Sequence, residues 1–112
     1  MLLIVILACS GAPDSTMASY EKNCHDGFLI TCLSVGDIYR TGKLGHTDFE
    51  RAREFFTIAC DGEYVPGCVR LGIMAEEGQG EPQDLQKARE IYSKACHQKK
   101  SALACSRLEA LP

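Results

Sequence analysis

Six of the seven cysteines recur on one period. Cys24, Cys60 and Cys96 are 36 residues apart, and Cys32, Cys68 and Cys105 follow one another at 36 and 37. Laying residues 24–59 on residues 60–95 without a gap gives nine identities: Cys24/Cys60, Cys32/Cys68, Gly36/Gly72, Gly42/Gly78, Asp48/Asp84, Ala52/Ala88, Arg53/Arg89, Glu54/Glu90 and Ala59/Ala95. Phe49/Leu85, Arg51/Lys87 and Phe56/Tyr92 are alike in kind, and Tyr20 stands 36 before Phe56. Such a period marks a chain that reuses one supersecondary unit, each copy burying its apolar face only against its neighbours. Cysteines at fixed places in that unit could hold a metal, carry electrons, attack a substrate or tie two segments together; spacing alone leaves these open.

Each unit reads as two helices. From Asp84 to Cys96 the apolar residues fall at Leu85, Ala88, Ile91, Tyr92 and Ala95, one helical stripe, with Gln86, Lys87, Arg89, Glu90 and Lys94 outside it. Asp84 is placed to cap that helix by accepting a free N–H, and Asp48 does the same one period earlier, before Phe49, Ala52, Phe55, Phe56 and Ala59. The partner helix spans Val65–Glu77, with Pro66 in its first turn, where a missing N–H costs little. Its apolar face is broader, and the stripe includes Val65, Cys68, Val69, Leu71, Gly72 and Ala75. Gly36 and Gly72 weaken a helix interior, so their recurrence points to close approach of a neighbour. Gly42 and Gly78 suit the left-handed residue that ends a helix, and 43–47 and 79–83 are short turns. The expected fold class is all-α: a solenoid of antiparallel helix pairs, with the tail of a helix at 16–24, two complete pairs, and a last partial helix at 102–111.

The N-terminus carries the compartment signal. Residues 1–12 are expected to be an export segment and linker, and 13–112 the repeat domain. Met1–Ser10 is an apolar run, too short to span a bilayer, that looks like the end of a signal peptide. Ile6-Leu7-Ala8-Cys9 resembles a bacterial lipobox, which makes Cys9 the candidate lipidation site; Ser10-Gly11-Ala12 offers ordinary signal cleavage instead. No basic residue precedes the run and Leu7 is bulky for the pattern, which leaves a start upstream of Met1 open. An exported chain meets an oxidising environment, where disulfides persist.

The stretches Gly67-Cys-Val-Arg-Leu-Gly72, Gly78-Gln-Gly80, Asp84-Leu-Gln-Lys-Ala88 and Tyr92-Ser-Lys-Ala-Cys96 resemble Sel1-like repeats, relatives of tetratricopeptide repeats. The cysteine pair in each repeat is similar to the cysteine-rich secreted branch of that family, known from exported bacterial proteins and a mitochondrial intermembrane-space relative. The resemblance covers 16–111. It implies three disulfides, Cys24–Cys32, Cys60–Cys68 and Cys96–Cys105, each at the base of a helical hairpin; neighbouring helices are close enough for this. Cys9 then accounts for the odd count. The third pair has one extra residue, expected in the turn at 98–101. Under this reading no metal is expected, because the pairs lie in separate layers and zinc needs four converging ligands. No cofactor is expected either, and no Cys-x-x-Cys redox element is present. His25 and His97 read as solvated helix-end residues.

The chain has no basic run beyond Lys99-Lys100 and carries a formal charge of −3, which argues against nucleic acid as a partner. Ser19-Tyr-Glu-Lys22 matches the Ser-x-x-Lys element of penicillin-recognising enzymes, and some cysteine-rich Sel1-like relatives have been described as β-lactamases. The accompanying Ser-Asp-Asn and Lys-Thr-Gly elements are absent, so the match reads as coincidence and no catalytic residue is assigned. Glu76 and Glu77 are expected to point apart on their helix, and His46 lies in a turn with no nucleophile beside it. The function expected is a non-enzymatic exported module binding a protein or a peptide-like cell-wall fragment, with a β-lactam hydrolase as the alternative. Solenoids present one helix of each pair along an extended face. The candidate binding positions there are Ser34, Asp37, Arg40, Arg70, Ile73 and Glu77.

Overall fold

The computed structural model describes residues 16–112. Residues 1–12, expected to be an export segment and linker, and with them Cys9, lie outside the described residues. Six helices follow in order: α1 Met17–His25, α2 Leu29–Thr41, α3 Phe49–Asp61, α4 Val65–Glu77, α5 Leu85–Lys99 and α6 Ala102–Ala110. Among the described residues there are no strands. Each helix packs antiparallel on the next, and α1–α3 and α2–α4 also touch, which stacks the units in a row.

Local chemistry sets the helix ends. The Asp48, Asp84 and Ser101 side chains accept from the backbone N–H groups of Arg51, Lys87 and Ala104, capping α3, α5 and α6. Gly42 and Gly78 end α2 and α4 in the left-handed region, at φ 75° and 69°. The two long turns then close with equivalent bonds, Asp48 N–H to Tyr39 O at 2.8 Å and Asp84 N–H to Ala75 O at 2.9 Å.

The core runs along the stack in three overlapping clusters. Phe55, Phe56 and Tyr92 are fully buried. Gly36 and Gly72 are where the packing is closest: a Cβ at Gly36 would enter the ring of Phe56, and one at Gly72 the ring of Tyr92. Gly67 lets α4 cross α3 at Ala59 in the same manner, where a Cβ would lie 2.6 Å from Ala59 Cβ. The stripe expected for α4 omitted Gly67, Ile73 and Met74, which are buried. Helix α4 is covered by α3 on one side and α5 on another, so its buried arc is wider than a single stripe.

The outer helices differ from the inner ones where a further neighbour would sit. Thr16, Ser19 and Asn23 stand at the repeat positions held by the buried Ala52, Phe55 and Ala59. Ser106 and Glu109 of α6 stand at the positions of Val69 and Gly72, and are exposed. Polar residues at the ends of a described stack keep its outer faces compatible with water.

Disulfides join Cys24 to Cys32, Cys60 to Cys68 and Cys96 to Cys105, with Cα–Cα distances of 4.7, 4.6 and 4.7 Å. Each closes a helical hairpin at its turn. The extra residue of the third hairpin is not in the turn: α5 continues three residues past Cys96, whereas α3 stops one past Cys60. Relative to α3, the helix runs two residues further past its cysteine, and the turn contracts by one, from 62–64 to Lys100 and Ser101. Gly27, Glu63 and Lys100 occupy the same place in the three turns and all have positive φ, of 104°, 67° and 54°. A side chain there costs about 1–2 kcal/mol. Lys100→Gly is therefore expected to stabilise the chain by about 1 kcal/mol, seen as a higher urea midpoint at unchanged slope. An unchanged or lower midpoint would count against strain in that turn.

Candidate binding face

Helices α2 and α4 are the same member of successive pairs, and α6 is the third. Their repeat register sets Ser34, Arg70 and Arg107 at one position of three successive helices. Arg70 spans α4 to α2: its Nε donates to Asp37 Oδ1 at 3.0 Å and an Nη donates to Oδ2 at 3.5 Å. Arg40 approaches the same carboxylate from its own helix, with Nε 3.8 Å from Oδ1. Asp37, Arg40 and Arg70 are thus brought together as one half-exposed charged cluster with two cations on one anion. Ser34 is exposed, and its hydroxyl donates back to Ile30 O at 3.2 Å.

Ile73 does not belong to this face. It is 7% exposed and packs with Val69, Ala88 and Tyr92. Ile73 occupies the repeat position of Asp37, but the apolar side chain joins the core cluster of α4, α5 and α6 where the carboxylate of Asp37 meets Arg40 and Arg70. Glu77 is exposed at the helix end, where its carboxylate accepts from the Gln79 side-chain amide at 2.9 Å. Glu76 turns the other way, accepting from Tyr92 OH at 2.9 Å and lying 3.8 Å from Arg107 of α6. The acidic pair therefore divides between two partners.

Arg107 and Glu76 extend the charged face to α6. The sequence reading expected Glu76 only to point away from Glu77 and missed Arg107, which the repeat register places at the position of Arg70. A second cluster lies between α1, α2 and α3. Tyr39 OH donates to Glu21, Arg51 Nη2 lies 2.9 Å from the other Glu21 oxygen, and the Arg51 guanidinium stands 5.5 Å from the centre of the Tyr39 ring and 5.2 Å from that of Phe55. The bond to Glu21 raises the Tyr39 phenol above its ordinary value; burial, then the bond to Glu76, raises that of Tyr92. Both phenols stay neutral and act as donors between helices.

The Ser-x-x-Lys match falls on α1. Lys22 Nζ is 2.7 Å from Asp26, and that hydrogen bond raises its pKa. A lysine so held stays protonated, the opposite of what a general base requires. His25 is exposed, yet its ring also lies 5.7 Å from the ring of Phe55. His46 is exposed in the α2–α3 turn. Among the described residues no group of histidine, cysteine and carboxylate side chains could hold a metal ion, and no helix is long and apolar enough to cross a membrane.

The family model of the Sel1 repeat matches residues 31–64 and 65–100. A comparison with curated proteins found no match. Among solved structures, the chain is similar to Helicobacter pylori cysteine rich protein B (hcpB), with a TM-score of 0.73 and 28% identity over 82% of this chain and 68% of that one. It is also similar to c5321, a protective antigen present in uropathogenic Escherichia coli strains that displays an SLR fold. There the TM-score is 0.76 and the identity 27% over 83% of this chain, which spans only 20% of that protein.

Proposed function

The chain belongs to the Sel1 repeat family, a fold typical of protein–protein interaction modules, and from that premise we propose that it is a non-enzymatic exported module that binds a protein or a peptide-like fragment of the cell envelope along α2 and α4. One observation carries the reading. Arg70 and Arg40 converge on the single carboxylate of Asp37, half exposed on neighbouring helices. Two guanidiniums carry more donors than one carboxylate can satisfy. The surplus is available to backbone carbonyls or carboxylates of a bound chain. Ser34 beside them and Glu77 toward the helix end supply a mixed polar rim. Three disulfides in so small a chain fit maturation in an oxidising compartment, and Cys9 is the proposed attachment point if the export segment is processed as a lipoprotein.

The test is capture from a cell-envelope extract on the immobilised oxidised chain. Saturable, salt-sensitive retention of one partner is expected. Arg40→Glu/Arg70→Glu should cut it at least tenfold, while Lys87→Glu on the exposed side of α5 leaves it unchanged. The double variant should keep its melting temperature within a few degrees, because partly exposed ion pairs contribute only about 0–1 kcal/mol. Equal loss in both variants, or no saturable partner, would overturn the proposal.

A further inference from the structure

The two inter-repeat layers are built from equivalent residues, yet one is filled and the other is open. In the first, Phe55 packs on the Cys24–Cys32 bridge together with Ile58, and the His25 ring lies against Phe55. Cys24 and Cys32 are 1% and 0% exposed as a result. In the second layer Phe55 is replaced by Ile91, Ile58 by Lys94 and His25 by Asp61. The smaller side chain and the two charged ones leave a cleft of about 330 Å³ beside the Cys60–Cys68 bridge. Cys60 and Cys68 are only part-buried there. The cleft shares no residue with the α2–α4 face.

Its lining is divided by chemistry. The bridge, Val65, Ile91 and Ala95 form an apolar floor, and Asp61, Glu63, Lys94 and Lys99 stand around it. Lys99 Nζ pairs with Glu63 at 3.3 Å, so these two charges largely satisfy each other. That leaves an acid from α3 and an ammonium from α5, neither of them in an ion pair with another described residue: Asp61 and Lys94. The sister layer shows what fits such a floor, because there an aromatic ring covers the disulfide.

We propose that the cleft beside Cys60–Cys68 binds a free aromatic amino acid, its ring on the disulfide floor, its carboxylate at Lys94 and its ammonium at Asp61. An apolar space of a few hundred cubic ångströms with a small number of opposed polar groups is the usual form of a small-molecule site. Asp61 and Lys94 are exposed, so a neutral aromatic would forgo two ion pairs, and an aliphatic amino acid would leave the floor poorly covered.

Titrating the full oxidised chain with L-phenylalanine, followed by amide chemical shifts, tests this. Saturable shifts are expected at Glu63, Val65, Lys94 and Lys99. Phenylalaninamide, which lacks the carboxylate, and N-acetylphenylalanine, which lacks the ammonium, should each bind at least tenfold more weakly, and L-leucine likewise. Ile91→Phe restores the residue of the sister layer and should abolish the shifts while the melting temperature holds or rises. Lys94→Ile, also the sister residue, should weaken binding at least tenfold. The proposal is overturned by shifts that do not saturate up to the solubility limit, by L-leucine binding as well as L-phenylalanine, or by a folded Ile91→Phe chain that binds as before.

Discussion

Gly72→Ala is expected to destabilise the chain by about 2 kcal/mol, although alanine is the better helix former. In an open helix the change would gain about 1 kcal/mol. Here the new methyl would enter the ring of Tyr92. That ring cannot move aside: it is 0% exposed, and its hydroxyl is held by Glu76 at 2.9 Å. Forcing an extra carbon into a filled core costs about 1–3 kcal/mol and sometimes more, and a close contact with a tethered ring belongs at or above the upper end. The thermal midpoint should fall by roughly 10 °C for a domain of this size. The sign should reverse when the ring is gone: in a Tyr92→Leu background, Gly72→Ala should stabilise by up to about 1 kcal/mol. A double-mutant cycle by urea unfolding measures this directly. Were Gly72→Ala neutral or stabilising with Tyr92 intact, close helix approach would not be what keeps glycine there.

The second large effect concerns the bridges. Closing a hairpin of this length restricts the unfolded chain by about 2.5 kcal/mol per bridge. Three together supply about 7–8 kcal/mol, as much as the whole stability of many domains, about 5–15 kcal/mol. Full reduction is therefore expected to abolish most of the helical signal at 222 nm, with recovery on reoxidation. Opening should also follow an order. A thiolate must reach a sulfur atom to attack it, and Phe55 covers Cys24–Cys32, whose residues are 1% and 0% exposed, while Cys60 and Cys68 border the open cleft. Limited reduction followed by alkylation and peptide mapping should find Cys60 and Cys68 labelled before Cys24 and Cys32. Early labelling of the first bridge, or an undiminished helical signal after full reduction, would contradict this account.

Much of the architecture was legible because repetition writes it several times over. The 36-residue register located the helices, apart from the three residues by which α5 outruns Cys96, since capping aspartates and helix-ending glycines recur with the apolar stripes. It also located the two interior glycines and the reason for them. The cysteine pairing came with the family resemblance, and the structure has the same three bridges. The binding face was less legible. Ile73 was expected among its exposed positions, but its apolar side chain packs with Val69, Ala88, Tyr92 and Ala104 from three helices, a contact that one helix's own pattern does not show. Arg107 went unnoticed, and Glu76 was read only as one of an acidic pair, because their partners lie on other helices.

The sequence by itself determined the unit, its period and its helix ends. These depend on contacts between residues a few positions apart, capping, left-handed turns and stripe spacing, and they repeat wherever the residues repeat. Only the tertiary structure decided what each layer holds. Phe55 and Ile91 occupy the same position of the repeat, yet one seals a disulfide and the other borders a cleft. That outcome depends on the joint volume and charge of side chains from several helices, at positions where the copies have diverged.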